Sequence, residues 1–293
     1  MFAGYRMSSS RCPKLRVALI ALLLYAPVSW STNLQDQLSS DYAGKVITFR
    51  HFYSGDHLKF HADGTLEGDA PIGPWTVDGQ LLVNEVKLQK GSLVIRGRRI
   101  ILLFDSKSKT FQDALTLVMN SDHRDPDVEE SLRALDVDIE IALPTEQPEP
   151  KEVSAAMQAV FLTPGESMAD IAPACWRSYF ELREHRPPKP QDPSNPVYTM
   201  SANSGIVPPR ITYDPEPEYS DAARRVKWQG TVLVSLIVDP TGTVRDVQIA
   251  DPLGAGLDEK SVEAVNTWKF DPAQKDGKAI PLAIKVEATF RLY

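Results

Sequence analysis

Gly230-Thr-Val-Leu-Val-Ser-Leu-Ile-Val238 runs into Asp239-Pro-Thr-Gly242, and the chain closes on Leu282-Ala-Ile-Lys-Val-Glu-Ala-Thr-Phe-Arg-Leu292. In the first stretch Val232, Val234, Leu236 and Val238 recur every second residue, with Thr231 and Ser235 between them. That is the period of a strand with one buried face. Asp-Pro-Thr-Gly supplies Pro at the second turn position and Gly at the fourth. The returning strand holds Val244, then Val247 and Ile249. Its three-residue step predicts a bulge at Arg245 and Asp246. In the closing stretch Leu282, Ile284, Val286, Ala288, Phe290 and Leu292 face one way, and Ala283, Lys285, Glu287, Thr289, Arg291 and Tyr293 the other. Two helices fit the gaps. Glu218–Trp228 carries Tyr219, Ala222, Ala223 and Val226 on one side. Leu257–Trp268 carries Ser261, Ala264, Val265 and Trp268, with Asp258 placed to cap it. Asp276-Gly277 turns the chain into the last strand. The expectation is a three-stranded antiparallel sheet with two helices.

Upstream, from Tyr42 to Asp105, β-branched and aromatic runs are punctuated by Asp63-Gly64 and Asp78-Gly79, the strongest short hairpin signal. A meander of five to seven strands follows from this. Asp125-Pro126 then starts a helix with Val128, Leu132 and Leu135 on one side, and Val137, Ile139, Ile141 and Leu143 alternate in a strand that joins the same sheet. Glu152–Phe161 is an amphipathic helix, and Ile171–Arg183 has room for another. Nine prolines between Arg186 and Pro217 predict an extended, polyproline-like linker. The fold class is therefore α+β: a β-meander-rich α+β domain over 32–185, a Pro-rich linker over 186–217, and the small domain over 218–293.

With 293 residues there is room for two cores, and 42% hydrophobic with 24% charged residues is globular composition. The net charge of −7 argues against nucleic-acid partners, whose phosphates demand Lys and Arg. Residues 1–31 hold Arg6, Arg11, Lys14 and Arg16, no acids, and an apolar run from Val17 that is short for a bilayer span. They read as a signal peptide cut after Ser31, for export. The alternative is an uncleaved membrane anchor. After such a cut Cys175 is the one cysteine left, and it reads as a small buried hydrophobe.

Constellations with chemistry are sparse. His51, His57 and His61 with Asp56 and Asp63 have imidazoles and carboxylates of the kind zinc uses. A turn at Ser54-Gly55 breaks their alignment, so solvated strand faces are the expectation. Arg96, Arg98 and Arg99 read as a solvated basic sheet face, and Asp122–Asp125 as a charged capping loop. Gly254-Ala-Gly256 is too short for a phosphate loop. There is no serine-elbow motif and no zinc cysteine pair. The expectations are no catalytic residue, no metal and no cofactor.

The segment from about residue 208 to 293 resembles the TonB C-terminal domain family. The matching residues are Glu218-Tyr219, Ala222-Ala223, Gln229-Gly-Thr-Val, Val238-Asp-Pro-Thr-Gly, Leu257-Asp, Trp268-Lys-Phe-Asp-Pro-Ala and Asp276-Gly-Lys. Ser220 stands where the family usually has Pro. The resemblance implies a periplasmic domain that meets outer-membrane transporters. It also implies that an extended partner peptide adds to the edge of the last strand by β-augmentation, at Ala283, Lys285, Glu287, Thr289 and Arg291. The partner would be a peptide of an outer-membrane transporter or a periplasmic protein, and a homodimer through the same edge stays open. An energy transducer of this family needs a spanning N-terminal helix, typically with a histidine; residues 17–30 contain none. Two other readings stand beside the peptide-docking module. One is a membrane-anchored transducer for TonB-dependent transport. The other is a ligand carrier or enzyme centred on the β-rich domain, which a polar pocket within Lys45–Phe104 would favour and a solid core would disfavour.

Overall fold

Burial alternates along the upstream strands as the sequence alternates, so one face of a sheet closes over apolar side chains. Leu81, Val83, Leu93, Ile95, Ile139 and Ile141 have no solvent exposure. The computed structural model describes residues 34–121, 125–187, 194, 196–201 and 204–292. The N-terminal segment read as signal or anchor, and Asp122–Arg124 of the capping loop, lie outside them. In chain order the upstream elements are α1 (Leu34–Tyr42), β1 (Val46–Thr48), β2 (His57–Phe60), α2 (Trp75–Asp78), β3 (Gln80–Gln89), β4 (Ser92–Arg99), β5 (Leu102–Asp105), β6 (Thr110–Asp113), α3 (Ala114–Met119), α4 (Pro126–Arg133), β7 (Asp136–Ala142), α5 (Pro150–Val160), α6 (Met168–Ile171) and α7 (Arg177–Arg183), with a 3-10 turn at Ala174–Trp176. Five strands form one sheet in the order β1-β3-β4-β7-β2. All its pairs are antiparallel except β2 with β7. β5 and β6 form a separate hairpin.

Local chemistry explains the helix starts. Asp125 accepts from the amides of Asp127 and Val128 at the head of α4, with Pro126 in the first turn. Glu149 and Glu152 form a capping box at α5. One turn signal misleads. Trp75–Asp78 is a helical turn, and Asp78 is buried instead of sitting at a hairpin tip.

The downstream elements are β8 (Tyr198–Thr199), β9 (Ile206–Val207), β10 (Arg210–Tyr213), α8 (Asp221–Arg225), β11 (Gly230–Val238), β12 (Val244–Asp251), α9 (Leu257–Val265), β13 (Lys269–Asp271), β14 (Gln274–Lys275), β15 (Lys278–Ala279) and β16 (Leu282–Phe290). β12, β11 and β16 make the expected antiparallel sheet. The bulge is where the three-residue step put it: Ser235 pairs with Gln248 and Ile237 with Arg245, and Asp246 takes φ 52°. The helices are shorter than their apolar periods: Ser220 caps α8 and delays its start to Asp221, while α9 opens after Gly256, at φ 75°, and ends at Val265, before Trp268. Asp258 does not cap α9. Its carboxylate accepts from the amides of Leu253 (2.7 Å) and Gly254 (2.8 Å) and so braces the preceding loop.

The described parts of the Pro-rich stretch do not run free. β10 pairs with β13, β9 with β14, and β8 runs parallel to the start of β16 as a short fourth strand. Its prolines do not prevent this, because single strand residues can pair between them.

From residue 33 onward the chain forms one compact unit, with a core that runs from Leu38 to Phe290. The loop between β12 and α9 joins the halves. Ala255 N donates to Leu102 O (2.8 Å), Phe104 N to Leu253 O (3.0 Å), and Gly256 N to Thr76 Oγ1 (2.9 Å). Gly254 meets Leu103 in an antiparallel bridge at φ 91°, and a β-carbon there would lie 2.3 Å from Leu102 O. Trp176 Nε1 donates to Glu259 Oε1 on α9 (2.7 Å), and α7 packs along β12.

Candidate partner-docking edge

β16 is built by its alternation. Leu282, Val286, Ala288 and Phe290 are buried, while Lys285, Glu287 and Thr289 are exposed. Its inner neighbour is β11, paired in unbroken register from Gly230↔Phe290 to Val238↔Leu282. The backbone groups of successive strand residues point to opposite sides. Two hydrogen bonds fix which residues point outward. Tyr198 N donates to Pro281 O (3.0 Å) on the outer side, and Leu292 N donates to Gln229 Oε1 (2.8 Å) on the β11 side. The odd-numbered residues Ala283, Lys285, Glu287, Thr289 and Arg291 therefore turn their N–H and C=O groups to the outer edge.

Those five are the residues named from the sequence, and the structure divides them. Ala283 faces Thr199 of β8. Among the described residues no strand lies beyond Lys285, Glu287 and Thr289. The side chain of Thr289 meets Thr231 across the sheet (Oγ1–Oγ1 3.1 Å).

Sequence reasoning missed Tyr198. Its side chain packs with Ala273, Ile280 and Leu282 in a small apolar cluster at the head of β16, and Lys275 Nζ stands 5.3 Å above its ring. The one available signal was Val197-Tyr-Thr-Met200, a β-prone run among prolines. Just past β8 a cavity of about 500 Å³ opens on the outer face, lined by Met200, Ile237, Ile284 and Lys285 among others.

Other candidates resolve differently. Arg98 and Arg99 are buried, not a solvated basic face. Arg98 Nη2 donates to Asp113 Oδ2 (2.6 Å), while Arg99 donates to the carbonyls of Asp78, Tyr53 and Gly55. Both replace the solvation of a guanidinium by internal partners. Burial pushes the Asp78 carboxyl up, opposed by Arg99 beside it. His57 approaches Asp138 (3.8 Å), and no group of three metal-ligating side chains converges among the described residues. Cys175 is half-buried, and burial pushes its thiol up to about 12, which removes it as a nucleophile at neutral pH. The apolar face of the upstream sheet is packed solid, while cavities of about 450 Å³ beside Lys45, Thr48 and Phe161 and about 320 Å³ beside Asp78, Arg99 and Asp136 lie at its margins, and one of about 700 Å³ lies at the seam around Phe104, Val128, Trp228 and Leu253. No helix among the described residues is long and apolar enough to cross a membrane.

Residues 215–292 match the family model described as Gram-negative bacterial TonB protein C-terminal. Protein tonB2 of Pseudomonas aeruginosa is 36% identical over 93 residues, 31% of this chain and 33% of that protein. Protein TonB of Vibrio cholerae is 29% identical over 111 residues, 35% of this chain and 44% of that protein. The chain thus spans less than half the length of either relative. A solution NMR structure of the Pseudomonas aeruginosa TonB CTD aligns over 33% of this chain and 94% of its own, at 19% identity and a TM-score of 0.25. By the family model and the two relatives, residues 215–292 are TonB C-terminal-like.

Proposed function

We propose that this chain is a periplasmic interaction protein without catalytic activity. Residues 218–293 dock an extended peptide of an outer-membrane transporter or periplasmic protein on the outer edge of β16. The 32–185 region, packed against residues 218–293 through the β12–α9 loop, acts as a recognition or positioning body. One observation carries the reading. Within the TonB C-terminal-like segment, Lys285, Glu287 and Thr289 turn backbone donors and acceptors to an edge that no strand of the described chain covers. A peptide laid there completes them as a ladder, and the flanking side chains supply selectivity.

The test is photocrosslinking in the periplasm, with a photoreactive residue at Lys285, Thr289 or, as control, the exposed Lys87 on β3. Adducts to the same protein at 285 and 289, absent at 87 and lost when Glu287→Pro is added, are expected. Adducts that survive Glu287→Pro undiminished would place docking elsewhere.

A second reading is an anchored energy transducer in TonB-dependent uptake, favoured by the similarity to protein tonB2 of Pseudomonas aeruginosa. It needs residues 1–31 to stay attached. Intact mass of the envelope protein separates the two, since loss of those residues would remove the anchor.

A further inference from the structure

The outer edge of β16 already has a guest. β8 lies on it in parallel register, Tyr198 opposite Leu282 and Thr199 opposite Ala283. Tyr198 N reaches Pro281 O, and parallel geometry sets Ala283 N–H against the carbonyl of Tyr198. The ring of Tyr198 fills the corner formed by Ala273, Ile280 and Leu282. Met200, the residue after β8, is exposed and borders the outer-face cavity with Ile284.

We infer that β8 is a self-bound stand-in for the partner strand: the incoming peptide displaces it, runs parallel to β16, and seats an aromatic side chain in the corner that Tyr198 occupies. The inference rests on the docking reading above and adds direction, register and an anchor residue to it. Three features support displacement. A two-residue strand contributes few ladder bonds, so its opening is inexpensive compared with that of the nine-residue β11–β16 pairing. An intramolecular strand competes at a high effective concentration, so a weak contact suffices to occupy the site. The corner is apolar and fits one flat side chain, and a partner that stopped at Lys285 would forgo it.

Two measurements on the full chain test this. In the wild type, amide hydrogen exchange at Tyr198 and Ala283 is expected to be at least about 100-fold faster than at Ala288, whose N–H faces β11. Equal protection would mean that β8 is fixed, and would overturn the inference.

The second uses a labelled synthetic peptide of residues 196–201, Pro-Val-Tyr-Thr-Met-Ser. It is expected to bind the Tyr198→Ala variant at least about tenfold more tightly than the wild type or Tyr198→Phe. The same peptide with alanine for its tyrosine should not bind. Protection of the β11–β16 amides checks that the variant keeps its sheet. Equal binding to wild type and Tyr198→Ala, or retention by the alanine peptide, would overturn it. Crosslinking at Thr289 separates the two claims. Adducts that persist while the peptide fails defeat the stand-in strand alone; loss of both defeats the docking edge.

Discussion

Glu259 is the most exposed to pH among the residues that join the halves. One carboxylate oxygen accepts from Trp176 Nε1, and the other is shut off from solvent without a hydrogen-bond partner. Burial first, and then the charge of Asp258, push its carboxyl up from the usual 4.5. An acid whose folded pKa lies above its unfolded value binds more protons when folded. Its contribution to stability therefore falls as pH rises from about 4.5 through the raised folded value. Glu259→Gln is expected to leave stability at pH 5 nearly unchanged and to recover about 1–3 kcal/mol at pH 8, the order of an unsatisfied buried charge. Urea midpoints at the two pH values check this. Gly254 acts by shape. Its φ of 91° and its approach to Leu102 O leave no room for a β-carbon. Gly254→Val is expected to cost about 1–3 kcal/mol from backbone strain alone, read by urea unfolding. The sequence showed Gly254-Ala-Gly256 only as a run too short for a phosphate loop. That Gly254 meets β5 and Gly256 meets α2 was not legible, since their partners, Leu103 and Thr76, lie more than about 150 residues away in the chain.

At the scale of the element, β16 tells outward from inward residues. Proline at Glu287 removes an N–H aimed at the open edge, whereas proline at Ala288 removes one bonded to β11. Glu287→Pro is expected to keep a melting temperature within a few degrees of the wild type and to lose partner capture. Ala288→Pro should lose the sheet itself. Thermal melts paired with crosslinking check both; a Glu287→Pro variant that melts like Ala288→Pro would contradict the assigned edge. The alternation that defines this strand was legible from sequence, as was the bulge at Asp246. The pairing of Tyr198 was not, because two residues carry no period, and proline density pointed to a chain without partners.

Across the whole molecule, the seam makes the halves interdependent. Leu253, Ala255 and Leu257 are buried where the β12–α9 loop meets the upstream half, and Lys227 reaches Asp125 at 2.7 Å. Residues 218–293 alone would expose that apolar loop. The full chain is expected to unfold in a single transition followed alike by tryptophan fluorescence and circular dichroism, with the fragment less stable than the chain. Two separated transitions would show that the halves stand independently.

The sequence by itself determined what local periodicity and turn chemistry can encode: the α+β class, the three long downstream strands, the cap of α4, and the resemblance from about residue 208 to 293, within which 215–292 match the family model. It also determined which backbone groups would share one side of the last strand, because that parity follows from a period of two. Only the tertiary structure decided which side is open. β11 takes the even residues, β8 takes Ala283, and Lys285, Glu287 and Thr289 are left to the outside. It likewise buried Arg98 and Arg99 and paired β8, β9 and β10 of the Pro-rich stretch with downstream strands. These outcomes depend on distant segments meeting in space, and no window of sequence contains both partners.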